Sequence, residues 1–157
     1  MKALVIYGSR YGNTRRIAEA IGEGLKPAFA VEVLPTDGVT PMQLTAADLL
    51  VIGGPTEAHG MTPVLRTFVD GMTFALEGKA VAAFDTRLDV ARIFSGSAAS
   101  GIGAHLRRAG AKVIAGEGSF LVKGKQPELE PGELDRATAW GKELAAKILA
   151  LAPVPAM

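Results

Sequence analysis

With 157 residues, a formal net charge of +1, 48% hydrophobic and 21% charged residues, the chain is sized for one domain with a substantial core. No Lys/Arg run or acidic excess points to a nucleic-acid or membrane partner. The absence of cysteine excludes disulfides, thiolate catalysis, Fe–S ligation and thiolate zinc sites. No apolar run approaches the ~20 residues that span a bilayer. A strand is expected within a few residues of Met1, leaving no room for a signal peptide, so a cytoplasmic location is expected.

The first element is Ala3-Leu4-Val5-Ile6-Tyr7, a continuous apolar run of the kind buried on both faces of a parallel sheet. A helix is expected from about Thr14, with Ile17, Ala20, Ile21, Gly24 and Leu25 on one face and Pro27 at its exit. Phe29 to Leu34 reads as a second strand, and Glu32 within it suggests a sheet edge. A turn-rich stretch and a short helix from Pro41 to Ala47 follow. Leu49-Leu50-Val51-Ile52 is the third strand, ending at Gly53-Gly54-Pro55-Thr56. The next helix starts at Thr62 or Pro63 and turns Val64, Leu65, Phe68, Val69 and Met72 inward. Ala80 to Phe84 is the fourth strand, and 85–97 a long connection. A helix then runs to Ala109, with Gly110 as its C-terminal cap. Lys112 to Ala115 opens a fifth strand that continues irregularly through Phe120-Leu121-Val122. A last helix spans Gly132 to Leu151 and carries Trp140 into the core. Residues 1–152 are therefore expected to form one domain, with 153–157 a loose tail.

Strand and helix alternate five times, the pattern of an α/β doubly wound five-stranded parallel sheet. Ligands of such sheets bind beyond the carboxyl ends of the strands. Three loops meet there: 9–14, 53–61 and 85–97. The first, Ser9-Arg10-Tyr11-Gly12-Asn13-Thr14, presents unpaired amides and the positive end of a helix dipole, a combination that binds phosphate. The same residues also suit an ordinary turn with Asn13 or Thr14 as N-cap. In the second, two glycines allow close backbone approach, Pro55 stiffens the turn and Thr56 offers a hydroxyl, although Gly and Pro are equally native to plain strand-to-helix turns. Their shared place at one sheet end favours a ligand site.

On these residues the chain resembles the flavodoxin-like family. Residues 9–14 look like its phosphate loop, Gly53-x-Pro55-Thr56-x-x-x-Gly60-Met61 like the second flavin loop of flavin-dependent quinone reductases, and Phe84-Asp85-Thr86-Arg87 like the start of the third. Pro131-Gly132-Glu133-Leu134 and Ala139-Trp140-Gly141 look like uncharacterised flavodoxin-domain proteins. The resemblance implies strand order 2-1-3-4-5 and non-covalent FMN. It implies that Ser9 and Thr14 bond the phosphate through hydroxyls, while Arg10, Tyr11, Gly12 and Asn13 offer mainly backbone N–H groups. Pro55, Thr56, Glu57, Ala58, His59 and Gly60 would contact ribityl and isoalloxazine, with Thr86, Arg87 and Leu88 flanking the other side. The flavin would carry the redox chemistry and the protein would tune it.

Tyr11 stands where the family usually has a small hydroxyl residue, and Arg10 either compensates towards phosphate or faces solvent. The ring loops lack the aromatics that often stack on flavin in carrier flavodoxins, leaving His59, Met61 and Phe94 for ring contact. Arg87 and Arg92 in the third loop would stabilise anionic reduced flavin, which points away from a low-potential shuttle. Three readings stand. One is an FMN protein passing electrons to a partner. The second is an FMN-dependent NAD(P)H:quinone-type reductase of a small quinone-like acceptor, with His59 as a hydrogen-bond or proton donor or simply a solvated loop residue. The third is a flavin-free scaffold or phosphate-ligand domain. Gly101-Ile102-Gly103 lacks a dinucleotide fingerprint, Ser97 and Ser100 lack a hydrolase elbow, and His59 and His105 are too isolated for a metal. No catalytic side chain is assigned.

Overall fold

The structure, a computed structural model, describes residues 1–91 and 95–151. Arg92, Phe94 and the expected tail at 153–157 lie outside the described residues. Strand β1 (Lys2–Tyr7) pairs in parallel with β2 (Ala30–Pro35) on one side and β3 (Leu49–Pro55) on the other. Next comes β4 (Ala80–Leu88), which pairs in parallel with β5 (Lys112–Val113) and then β6 (Gly118–Lys123). The order is β2-β1-β3-β4-β6-β7, with β5 on β4 and β7 (Glu128–Leu129) antiparallel to β6.

Because side chains alternate along a strand, both faces of the sheet can be apolar. Ala3 and Val5, Leu49 and Val51, and Ala82 and Phe84 meet α1 (Asn13–Leu25) and α5 (Glu133–Leu151) on one face. Leu4 and Ile6, Leu50 and Ile52, and Val81 and Ala83 meet α2 (Pro41–Ala46), α3 (Pro63–Gly71) and α4 (Ala98–Arg108) on the other. Helices α1 and α5 touch backbone to backbone: a Cβ at Gly24 would fall on the Thr138 carbonyl oxygen, and one at Gly141 on that of Ile21. Trp140 packs edge-on against Phe84 and Phe120, as its expected core position requires.

Several expectations are corrected. The sheet has seven strands rather than five, because the fifth strand is interrupted and a short antiparallel strand is added. The interruption at 114–117 precedes Gly118, where a Cβ would lie 3.0 Å from the Trp140 ring, so β6 starts packed directly against that indole. The reversal into β7 uses Gly124 at φ 91°. Strand β4 does not stop at Phe84. It runs to Leu88 because β6 supplies backbone partners from Phe84 to Leu88, so Asp85 and Thr86 are buried strand residues rather than loop. Val64 is not inward: α3 buries Leu65 and Val69, and Val64, one step off that face, is 68% exposed. Among the described residues no helix is long and apolar enough to cross a membrane.

Candidate functional site

The first loop leaves β1 and enters α1 through Gly12, whose φ of 85° is left-handed. Gly12, not Asn13 or Thr14, is therefore the N-cap, and no side chain caps the helix. The first turn holds no carboxylate and instead carries Arg15 and Arg16. Arg15 is held by Glu19 at 3.0 Å, whereas a cation such as Arg16 at the positive end of a helix is unfavourable unless an anion sits there, and the amides of Asn13, Thr14 and Arg15 lack intrahelical partners. Ser9 Oγ accepts from the Gly12 N–H at 3.0 Å, which closes the loop and leaves the Ser9 O–H able to donate outward. Thr14 Oγ lies 2.9 Å from Thr86 Oγ, tying the first loop to β4 through two nearly buried hydroxyls. Such a pair uses one hydroxyl hydrogen and leaves the other to donate.

Arg10 does not simply face solvent. Its guanidinium reaches Glu57 Oε1 at 3.3 Å and lies 5.5 Å from the centre of the Tyr11 ring, linking the first loop to the second. The hydrogen bond to Glu57 raises its pKa above the ordinary arginine value. Asn13 Nδ2 donates to the Pro127 carbonyl at 2.7 Å, so this side chain anchors the turn between β6 and β7.

The second loop is a tight hairpin. Glu57 and Gly60 exchange backbone hydrogen bonds of 3.0 and 2.9 Å, with Ala58 at φ 46° and His59 at φ 68° between them. Two non-glycine residues in the left-handed region cost on the order of 1–2 kcal/mol each. Strain of this kind is held at functional sites by surrounding structure. The structure here is the third loop, because His59 bridges Gly96. Gly96 (φ 73°) is the residue this contact requires, since a Cβ there would strike the His59 carbonyl.

Behind these loops lies Asp85, which the sequence reading placed in a connection. Its side chain is fully buried. Oδ2 accepts from Ser97 Oγ (2.7 Å), the Ala99 N–H (3.1 Å) and Thr56 Oγ (3.4 Å), and Oδ1 from Ser119 Oγ (2.6 Å). Thr56 Oγ also accepts from the Ala98 N–H at 3.0 Å, so this hydroxyl is already engaged within the protein. Arg87 folds back likewise: Nε donates to Ser119 Oγ at 2.7 Å and Nη1 to the Val90 carbonyl at 2.8 Å. Its charge is offset by Asp85 across one serine, rather than standing alone beside a ligand. Strand β6 is braced from α5, where Glu133 accepts the Leu121 N–H at 2.7 Å and pairs with Arg136. The Arg136 hydrogen bond, with help from the Leu121 amide and against burial, holds the Glu133 carboxyl below its ordinary range.

A cleft of about 540 Å³ opens where these parts meet. It gathers Arg10, Tyr11, Asn13 and Thr14 from the first loop, Pro55, Thr56, Glu57 and Ala58 from the second, and Thr86, Arg87 and Leu88 from β4. Ser9 instead opens on a neighbouring cleft of about 550 Å³ across the Arg10–Glu57 pair, and Gly12 on a shallower recess beside Arg16. His59, Gly60 and Met61 do not line the main cleft; Met61 packs towards the α4 side of the core. Sequence reasoning missed the fourth wall, Val122, Gly124, Lys125 and Pro127. The turn chemistry of Lys123-Gly124-Lys125-Gln126-Pro127 is the signal that marks it. Among the described residues no cluster could hold a metal ion.

Comparisons with known proteins agree with this architecture. A family model described as a flavodoxin domain matches residues 4–93, more than half of the chain. A flavodoxin of Clostridium saccharobutylicum is 33% identical over 94 residues, covering 58% of this chain and 59% of that protein. An NAD(P)H dehydrogenase (quinone) of Syntrophobacter fumaroxidans is 30% identical over 115 residues, covering 54% of this chain and 56% of that one. The matches thus span little more than half the length of these curated relatives. Among solved structures, a flavodoxin from the domain Archaea superposes with a TM-score of 0.78 at 27% identity, covering 95% of this chain and 99% of that one. The doubly wound sheet, the loops at its carboxyl end and the matched segment agree, and the chain belongs to the flavodoxin-domain family.

Proposed function

We propose that this chain binds FMN non-covalently in the main cleft and works as an electron-transfer protein, through the single domain expected over residues 1–152. The observation that carries the reading is the start of α1. A helix N-terminus without a side-chain cap or a first-turn carboxylate, and with Arg16 close by, opens at the sheet end where three other segments converge. The donor set at this cleft fits a phosphate ester: the first-turn amides and the Thr14–Thr86 hydroxyl pair, with Ser9 closing the loop behind them. Tyr11, Pro55, Leu88, Val122 and Pro127 supply apolar wall for a flat ring.

A bound flavin would supply one- and two-electron redox chemistry. The protein would orient it between strained and braced loops, exclude water with those apolar walls and present a charge-compensated β4 end. The partner would be a redox protein or a small quinone-like acceptor. Purified protein titrated with FMN should show saturable uptake, with quenched flavin fluorescence and a perturbed visible spectrum. A titration with no spectral change overturns the proposal.

A second reading, reduction of a quinone with NAD(P)H, is favoured by the neighbouring cleft across the Arg10–Glu57 pair, lined by Tyr7, Pro35, Pro63 and Val64. It is also supported by the quinone dehydrogenase relative. Steady NADH or NADPH oxidation with quinone and no added reductase would favour the enzyme; its absence in FMN-loaded protein would favour the carrier.

A further inference from the structure

The buried Asp85 carboxylate is not used in the phosphate or ring contacts proposed above, yet it is the most heavily hydrogen-bonded side chain near the cleft. Three of its four donors are hydroxyls whose acceptor role is already filled by an N–H group. Thr56 Oγ accepts from the Ala98 amide, Ser97 Oγ from the Ser100 amide and Ser119 Oγ from Arg87 Nε. Each hydroxyl hydrogen is thereby directed at Asp85, and the fourth donor, the Ala99 N–H, can only donate. One carboxylate thus joins the second loop, the first turn of α4 and strand β6, elements separated widely in sequence. It does not replace the ordinary helix cap, because Ser97 already accepts the Ser100 N–H. It also faces Arg87 across Ser119, which makes the end of β4 nearly neutral where Arg87 alone would make it cationic.

We propose that Asp85 is a positioning residue of the flavin site. It fixes the second loop and the start of α4 against β6, and its charge, offsetting Arg87, opposes formation of the anionic reduced flavin. The second half rests on the FMN reading; the first does not. A buried acceptor serving four donors is costly to remove, because each stranded donor loses its partner without regaining water.

The test uses the full chain with Asp85→Asn, which keeps the shape and removes the charge, and Ser119→Ala, which cuts the link to Arg87 at a residue outside the cleft wall. Amide hydrogen exchange is measured first, without flavin. Ser119→Ala should leave Ala98 and Ala99 protected, whereas Asp85→Asn should lower their protection by about tenfold, with β1 amides unchanged in both. Protection equal to wild type at Ala98 and Ala99 in Asp85→Asn overturns the positioning role. With FMN bound, Asp85→Asn should raise the midpoint potential, and a potential at or below wild type overturns the charge role. A wild-type protein that takes up no FMN contradicts the flavin reading and, with it, the charge role, while the exchange result still decides whether Asp85 positions these elements.

Discussion

The first loop and the end of β4 line one cleft, joined by the Thr14–Thr86 hydroxyl pair, and are built in opposite ways. The first loop is made from consecutive residues: a strand ends, Gly12 turns the chain, and α1 begins with its amides outward. What it offers a ligand is mainly backbone, together with the Thr14 hydroxyl, so its other side chains are free for other work. Arg10 clasps Glu57, Asn13 holds Pro127 and Ser9 closes its own turn. The end of β4 is made from residues that meet only in the fold. The Thr56, Ser97 and Ser119 hydroxyls and the Ala99 N–H converge on Asp85, holding position rather than offering themselves outward. Ligand chemistry and scaffold stiffness are thus divided between two walls.

Substitutions can break this contrast in order of expected size. Gly96→Ala should be the most damaging, because it combines a left-handed φ with a direct overlap on the His59 carbonyl. A loss of about 2–3 kcal/mol in denaturant unfolding is expected, with the second and third loops losing exchange protection together. Thr14→Ala acts on the other wall. It should weaken FMN binding by ~1.5–3 kcal/mol, read by fluorescence titration, while the fold remains. An unchanged affinity would mean that backbone amides alone hold the phosphate.

Glu133→Gln loosens the brace on β6 and should cost about 1–2 kcal/mol at neutral pH. Since the folded-state pKa of Glu133 is depressed, its contribution is present above the ordinary carboxylate range and is lost as pH falls through the folded value. The stability gap between wild type and Glu133→Gln should therefore close in acid, and a gap that stays constant would contradict this pairing. Smallest of all is Glu57→Gln. The Arg10–Glu57 pair is solvent-exposed on the Arg10 side, so melting temperature should be unchanged.

The same contrast explains what could be read from the residues alone. Apolar runs alternating with helices marked β1, β3 and a parallel sheet, the strand order followed only from the family resemblance, and 9–14 was legible because strand, loop and helix follow one another without interruption. Asp85 was hidden for two reasons. An acidic residue after Ala80 to Phe84 looks like the end of a strand, and the partner that extends β4 to Leu88 starts only at Gly118, after the interruption at 114–117. Its donors, at positions 56, 97 and 119, carry no local signal of convergence. Thr56 illustrates the limit: the hydroxyl was visible in the sequence, but the Ala98 amide and Asp85 that occupy it were not.

The central claim is that the start of α1 cradles the phosphate of FMN. Parallel titrations of the purified protein with FMN and with riboflavin, which lacks the phosphate, test it most directly. The account predicts saturable one-to-one FMN binding and an affinity for riboflavin weaker by at least about tenfold, the loss of charge-assisted hydrogen bonds. Equal affinity for the two flavins, or uptake of neither, would contradict it.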